Sequence, residues 1–156
     1  MTPEIAIGGS ADLDELMLDM GEGFPPDYGE AWTRPQCSAI LMLAGVTLLL
    51  ARMRGEPAGF ALLRTVVDEA ELLLLAVRPA ARRSGVGRAL VDRAAAAAAA
   101  AGCARLFLEM RDGNPAHALY RATGFAEIGR RPGYYRGPNG VPCDAITLSR
   151  RLDPPR

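Results

Sequence analysis

Two stretches of this chain carry residues whose types and spacing could do chemistry. The first is Arg82 to Leu90, Arg-Arg-Ser-Gly-Val-Gly-Arg-Ala-Leu. It follows an apolar run, Leu72 to Val77, that predicts a buried strand, and it leads into Val91 to Ala101, whose unbroken alanines from Ala94 predict a helix. Gly85 and Gly87 let the backbone approach a ligand with no Cβ in the way. The free N–H groups of the first helical turn point at that ligand, and the helix dipole favours an anion there. Arg82, Arg83 and Arg88 add positive charge, so the chemistry is that of a phosphate cradle. The third glycine of a dinucleotide fingerprint is missing, and a Walker A loop is excluded because the chain has no lysine. An arginine-decorated turn without a ligand is the plain alternative.

The second stretch is Arg105-Leu106-Phe107-Leu108-Glu109, a predicted strand with a carboxylate at its C-terminal end, where a cleft would open. Enclosure by Leu and Phe would push that carboxyl up and make it a better base near neutral pH. The alternative is a structural pairing of Glu109 with Arg111 or another arginine. Asn114-Pro115 predicts the start of the next helix, with Asn as cap and Pro at the first position. Tyr120 lies on that helix, ahead of Gly124-Phe125, and plain helix-to-strand packing is its other reading. His117, the only histidine, reads as solvent-facing.

The elements that must position these groups follow from periodicity and turn signals. Glu4 to Ile7 alternates as a first strand. Ser10 predicts a cap for a helix with apolar positions at Leu13, Leu16, Met17 and Met20. Gly21 to Pro26 ends it, and Glu30 to Leu43 suggests a second helix, interrupted or restarted at Pro35. Val46 to Met53 and Ala58 to Val67 predict a hairpin, and Glu71 to Val77 the strand before the cradle. After Arg105 to Met110, Phe125 to Arg130 and Ala145 to Leu148 supply two final strands around a Gly/Pro loop. The sum is an α/β layer architecture with a mixed, mostly antiparallel sheet of about six or seven strands and about four flanking helices. It forms one domain over residues 1–151 with a short tail at 152–156.

Composition narrows the class. At 156 residues with 49% hydrophobic content, the chain can build a real core, and no apolar run approaches the ~20 residues of a membrane span. The start, Met-Thr-Pro-Glu, lacks the pattern of a signal peptide, so a cytoplasmic protein is expected. Cys37, Cys103 and Cys143 are odd in number and far apart, which indicates neither a disulfide framework nor a metal site. Net charge is zero but unevenly laid out: residues 1–33 hold eight acids (Glu4, Asp12, Asp14, Glu15, Asp19, Glu22, Asp27, Glu30) and no base. An acidic N-terminal part suits a cationic substrate and the arginine-rich remainder an anionic cofactor, unless the acids merely solvate a helix face. Neither nucleic acid nor membrane is expected as a partner. Tyr28 and Trp32 could wall a peptide groove or plug the core.

Taken in order, Leu72 to Val77, Arg82 to Leu90, Leu108-Glu109-Met110-Arg111, Asn114, Ala118-Leu119-Tyr120 and Gly124-Phe125 resemble the GNAT N-acetyltransferases across about residues 58 to 150. Leu108 to Arg111, Arg130-Arg131 followed by Tyr134-Tyr135, and Asp144-Ala145-Ile146 are similar to the enzymes of that family that acetylate the N-terminal alanine of a ribosomal protein. The resemblance implies transfer of an acetyl group from acetyl-CoA to an amine. Glu109 would be the general base and Tyr120 the general acid for the departing thiolate. Acetyl-CoA would be held by Leu75, Ala76 and Val77, by Arg82, Arg83, Ser84, Gly85, Val86, Gly87, Arg88 and Ala89, and by Asn114 and Tyr120. The acceptor, a protein or peptide N-terminus that is basic after its first residue, would meet Tyr28, Trp32, Tyr134 and Tyr135. A small-molecule amine acceptor and a non-catalytic acyl-CoA sensor are the alternatives, and retention of both Glu109 and Tyr120 argues against the sensor. Three features depart from the family's pattern: one residue fewer between Glu109 and Tyr120, an apolar residue at Leu74, and one extra residue within Pro132-Gly133.

Overall fold

Leu48 to Ala51 and Ala58 to Leu63 are buried without a break, so this part of the sheet must be covered on both faces, and it is. The computed structural model describes residues 2–24 and 31–153. Seven strands run in the order β1-β2-β3-β4-β5-β7-β6: β1 Glu4–Gly8, β2 Val46–Met53, β3 Glu56–Val66, β4 Glu69–Val77, β5 Arg105–Arg111, β6 Ala126–Arg136 and β7 Pro142–Arg151. Every neighbouring pair is antiparallel except β4 and β5. Helices α1 (Leu13–Gly23) and α2 (Arg34–Leu41) cover one face of β2, β3 and β4 through Leu16, Met20 and Cys37 on Leu48, Leu50, Phe60 and Leu62. Helices α3 (Val86–Ala100) and α4 (His117–Ala122) cover the other face, which continues across β5 and β7 as Leu106, Leu108, Met110, Ile146 and Leu148.

The alanine run has a packing reason. Ala94, Ala95 and Ala98 continue the buried stripe begun by Val86, Leu90 and Val91 at helical spacing, and they meet small residues of the sheet, Ala51, Ala58 and Ala61. Gly102, at φ +88°, closes α3: its N–H donates to the Ala99 carbonyl and that of Cys103 to Ala98, the left-handed ending that glycine favours.

The strands differ from the sequence-based expectations mainly in length. β6 runs to Arg136 and β7 starts at Pro142, so Tyr134 and Tyr135 lie on a strand instead of a loop. Glu30 lies outside the described residues; the second helix starts at Arg34, beside the expected restart at Pro35, because Thr33 and Gln36 form a reciprocal cap: Gln36 N–H donates to Thr33 Oγ1 at 3.3 Å and Thr33 N–H to Gln36 Oε1 at 2.8 Å. Ser10 caps nothing; it opens a single 3-10 turn in which Gly9 N–H donates to the Asp12 carboxylate at 2.9 Å. Leu152, from the stretch read as a tail, packs in the core.

Candidate active site

A break in the sheet makes the site. β4 and β5 pair only at Glu69 to Glu71 with Arg105 to Phe107; beyond those residues no ladder joins them. At the same point β4 carries a bulge, with Leu72 opposite Leu63, Leu74 opposite Leu62 and Leu73 left over. One extra residue reverses the alternation. Ala70 and Leu72 face α3, whereas beyond the bulge Ala76 faces α1, and Leu75 and Val77 pack on the α3 side. The two strands therefore leave a slit, and a cavity of about 480 Å³ fills it, lined by Leu72 to Leu75 of β4 and Leu108 to Arg111 of β5.

Glu109 and Tyr120 reach this cavity from opposite faces. On β5, Leu108 and Met110 point to the α3 side, so Glu109 points to the other. Tyr120, on α4, is buried on the α3 side with its ring edge-on to Phe125 at 5.5 Å between centroids. Both line the cavity, as do Leu75, Asn114, Trp32 and Tyr135. Glu109 is not sealed among apolar groups as its strand neighbours suggest; its carboxylate is partly exposed and paired with Arg131 at 3.2 Å. Leu106 and Leu108 fill the opposite face of the strand.

Asn114 fixes the approach to α4. Its Oδ1 accepts from Ala116 N–H at 2.9 Å and its carbonyl from His117 N–H at 3.0 Å, so it caps the turn, although the helix itself begins only at His117. β6 bulges between Arg131 and Tyr135. Gly133, at φ +63°, makes the turn possible and donates its N–H to Asp144 Oδ1 at 3.0 Å. The extra residue at Pro132-Gly133 thus sits in a bulge that sends Tyr135 into the cavity. Tyr134 remains outside, exposed, edge-on to Tyr135 and stacked under the Arg131 guanidinium at 4.9 Å. Tyr28 lies outside the described residues. Trp32 both lines the cavity and packs against the α1–α2 core.

After β4 a single 3-10 turn at Pro79–Ala81 leads into the Arg82–Gly85 loop, and Gly85 adopts φ +81° as the residue preceding α3. No side chain caps this helix, and its first internal bond is Ala89 N–H to Gly85 carbonyl, which leaves the N–H groups of Val86, Gly87 and Arg88 ahead of the ladder. A Cβ at Gly85 would meet nothing within 4 Å, so the backbone there is open. Gly87 is different: a Cβ there would lie 2.8 Å from Leu119 Cδ2, so this glycine lets α3 approach α4.

The arginines are not equivalent. Arg82 donates to the carbonyls of Val77 and Gly23, both at 3.3 Å, and so ties the loop to the ends of β4 and α1. Arg88 lies 3.9 Å from Asp92. Arg83 is exposed and holds φ +63°, a left-handed conformation for a non-glycine residue. Ser84 Oγ donates to the Ala81 carbonyl. Val86 is buried and Ala76 faces α1, so only their backbone can serve a ligand.

Two residues beside Glu109 have no role assigned from sequence: Glu71 of β4, which lines the cavity, and Arg131 of β6, which pairs with Glu109. The alternation Glu69-Ala70-Glu71 signals an exposed face, but only the β4–β5 register shows that Glu71 stands beside Phe107 and Glu109. Among the described residues no helix is long and apolar enough to cross a membrane, and no group of three metal-binding side chains occurs.

The fold and this slit define a class of protein, and sequence comparison agrees. The profile of the acetyltransferase (GNAT) family matches residues 13–125, and the chain belongs to that family. Its relatives include the [ribosomal protein bS18]-alanine N-acetyltransferase of Escherichia coli strain K12, 41% identical over 96 residues, or 61% of this chain and 64% of that one. The enzyme of the same name from Haemophilus influenzae is 35% identical over 91 residues, 58% of this chain and 62% of the relative. These alignments span somewhat under two thirds of each relative. The crystal structure of the ribosomal-protein-S18-alanine N-acetyltransferase from Escherichia coli superposes over 99% of this chain and 97% of its own, with a TM-score of 0.87 at 28% identity. Ard1 from Thermoplasma volcanium, at 22% identity and a TM-score of 0.81, shares the fold.

Proposed function

We propose that this chain transfers the acetyl group of acetyl-CoA to the N-terminal α-amine of a protein, with a ribosomal-protein alanine as the acceptor. The observation that carries this reading is the slit that brings Glu109 and Tyr120 from opposite faces of the sheet to one cavity. Acetyl-CoA supplies the activated acetyl group as a thioester. Its pyrophosphate fits the uncapped start of α3 at Gly85 to Arg88, and the arm that follows runs along Leu75 and Val77 into the slit.

A thioester carbonyl is attacked by a neutral amine, so the ammonium must first lose a proton. Glu109 accepts it, directly or through water, with Arg131 holding the carboxylate at the cavity mouth. The Tyr120 hydroxyl donates to the sulfur as it leaves. An α-amine, with a reference pKa near 8, offers far more neutral form than a lysine side chain near 10.4. The relatives named above and the fit of Trp32 and Tyr135 around the open side support a peptide acceptor. Mass spectrometry of acetyl-CoA reactions with peptides differing only at the first residue tests this. Peptides with Ala first should react best; higher kcat/KM for polyamines than for any peptide would overturn the assignment.

A further inference from the structure

Among the described residues of 1–33, four acids serve the fold. Asp14 pairs with Arg34, Glu15 with Arg52 and Glu22 with Arg78, while Asp12 closes the turn before α1. A second cavity, of about 420 Å³, lies on the helix-free part of the sheet's open face, between β3 and β6. It continues the slit: Glu71, Leu108 and Glu109 line both. Its charged groups are Arg64, Glu69, Glu71, Glu109 and Arg131. Glu109 and Arg131 satisfy each other. Among the described residues Glu71 has neither an ion-pair nor a hydrogen-bond partner, and its cross-strand neighbour Arg64 stays beyond ion-pair distance. Loss of hydration and then the neighbouring Glu109 charge push the Glu71 carboxyl up from its ordinary range, against a lowering by Arg64. A cation arriving there gains a partner and relieves that repulsion.

We propose that this groove receives the acceptor chain beyond the acetylated residue, and that Glu71 selects a cationic side chain at its second position. The inference rests on the peptide-acceptor reading above. Continuity supports it: an α-amine at Glu109 leaves the following residue, about 3.3–3.6 Å further along an extended chain, at the junction where Glu71 stands. Charge supports it too, because Glu71 is the carboxylate at that junction without a partner of its own.

Two acceptor peptides identical except for Arg or Gln at the second position provide the test, with the enzyme and its Glu71→Gln and Glu71→Arg variants. The unmodified enzyme should favour the Arg peptide roughly 5- to 10-fold in kcat/KM, mainly through KM, as a partly desolvated charge pair allows. Glu71→Gln should bring the ratio of kcat/KM for the two peptides close to one. Glu71→Arg should invert it. A preference that survives in Glu71→Gln overturns the inference, and so does an equal loss for both peptides, which would make Glu71 part of the reaction or the fold. If the unmodified enzyme acetylates neither peptide but does acetylate small amines, the acceptor reading itself fails and this inference fails with it.

Discussion

Glu109 and Tyr120 sit on opposite faces of the sheet, and their roles can be separated by what each removes when substituted. Glu109→Gln keeps the shape but removes the carboxylate proposed as base and the charge that pairs with Arg131. It should lower kcat/KM by roughly 10²-fold at neutral pH, the usual scale of general-base catalysis, with partial recovery as pH rises and solvent supplies neutral amine. Acetyl-CoA affinity should be nearly unchanged. Tyr120→Phe removes the proposed donor to a leaving thiol whose reference pKa is near 8.5, so the loss should be smaller and unrelieved by base. The pH–rate profiles decide the matter: an unaltered curve for Glu109→Gln would make that residue a structural partner of Arg131.

At the scale of elements, the start of α3 does two jobs that its two glycines divide. Gly85 is open to a ligand and left-handed, whereas Gly87 is the contact between α3 and α4. Gly85→Val should weaken acetyl-CoA binding more than 10-fold by obstructing the uncapped turn. Gly87→Ala should instead cost about 1–2 kcal/mol of stability, through overpacking against Leu119 on the helix that carries Tyr120. Arg83→Ala should do less than Gly85→Val, because an exposed charge is screened. Calorimetric titration with acetyl-CoA, paired with urea unfolding of each variant, separates the two effects. Equal acetyl-CoA affinity in Gly85→Val would remove the cradle from the argument.

For the molecule as a whole, stability should carry the mark of Asp19. This residue of α1 is fully buried, and neither of its carboxyl oxygens has a hydrogen-bond partner. Around it stand Glu15 and Glu22 of its own helix and Arg52 and Arg78 from the sheet side, and each arginine is already paired with one of those glutamates. Burial, then the Glu15 charge, pushes the Asp19 carboxyl up to about 7. The folded chain thus keeps a proton that the unfolded chain releases near 3.8. Between those two values the unfolded state binds fewer protons, so stability falls as pH rises, by on the order of 4 kcal/mol over the whole interval. Urea unfolding at pH 5 and pH 8 should therefore give a smaller difference for Asp19→Asn than for the unmodified chain. An identical difference would show that Asp19 finds a partner in solution.

Local signals in the sequence determined the Gly85 loop and the helix after it, the strand bearing Glu109 and the helix bearing Tyr120, because glycine, alanine and Asn-Pro act on the backbone within a few residues. The layered α/β fold was legible for the same reason, since its strands and helices announce themselves by period. Only the tertiary structure decided what those elements do to one another. The slit exists because β4 and β5 share three paired positions and then part, and the bulge at Leu73 reverses which side chains face α1. Whether Glu109 was enclosed or paired depended on Arg131, which arrives from a strand two places away in the sheet. The use of the N-terminal acids as arginine partners, and the standing of Glu71 without one, are likewise contacts between distant segments. Sequence periodicity assigns a residue to a face; which face is left open is set by how far the helices reach across it.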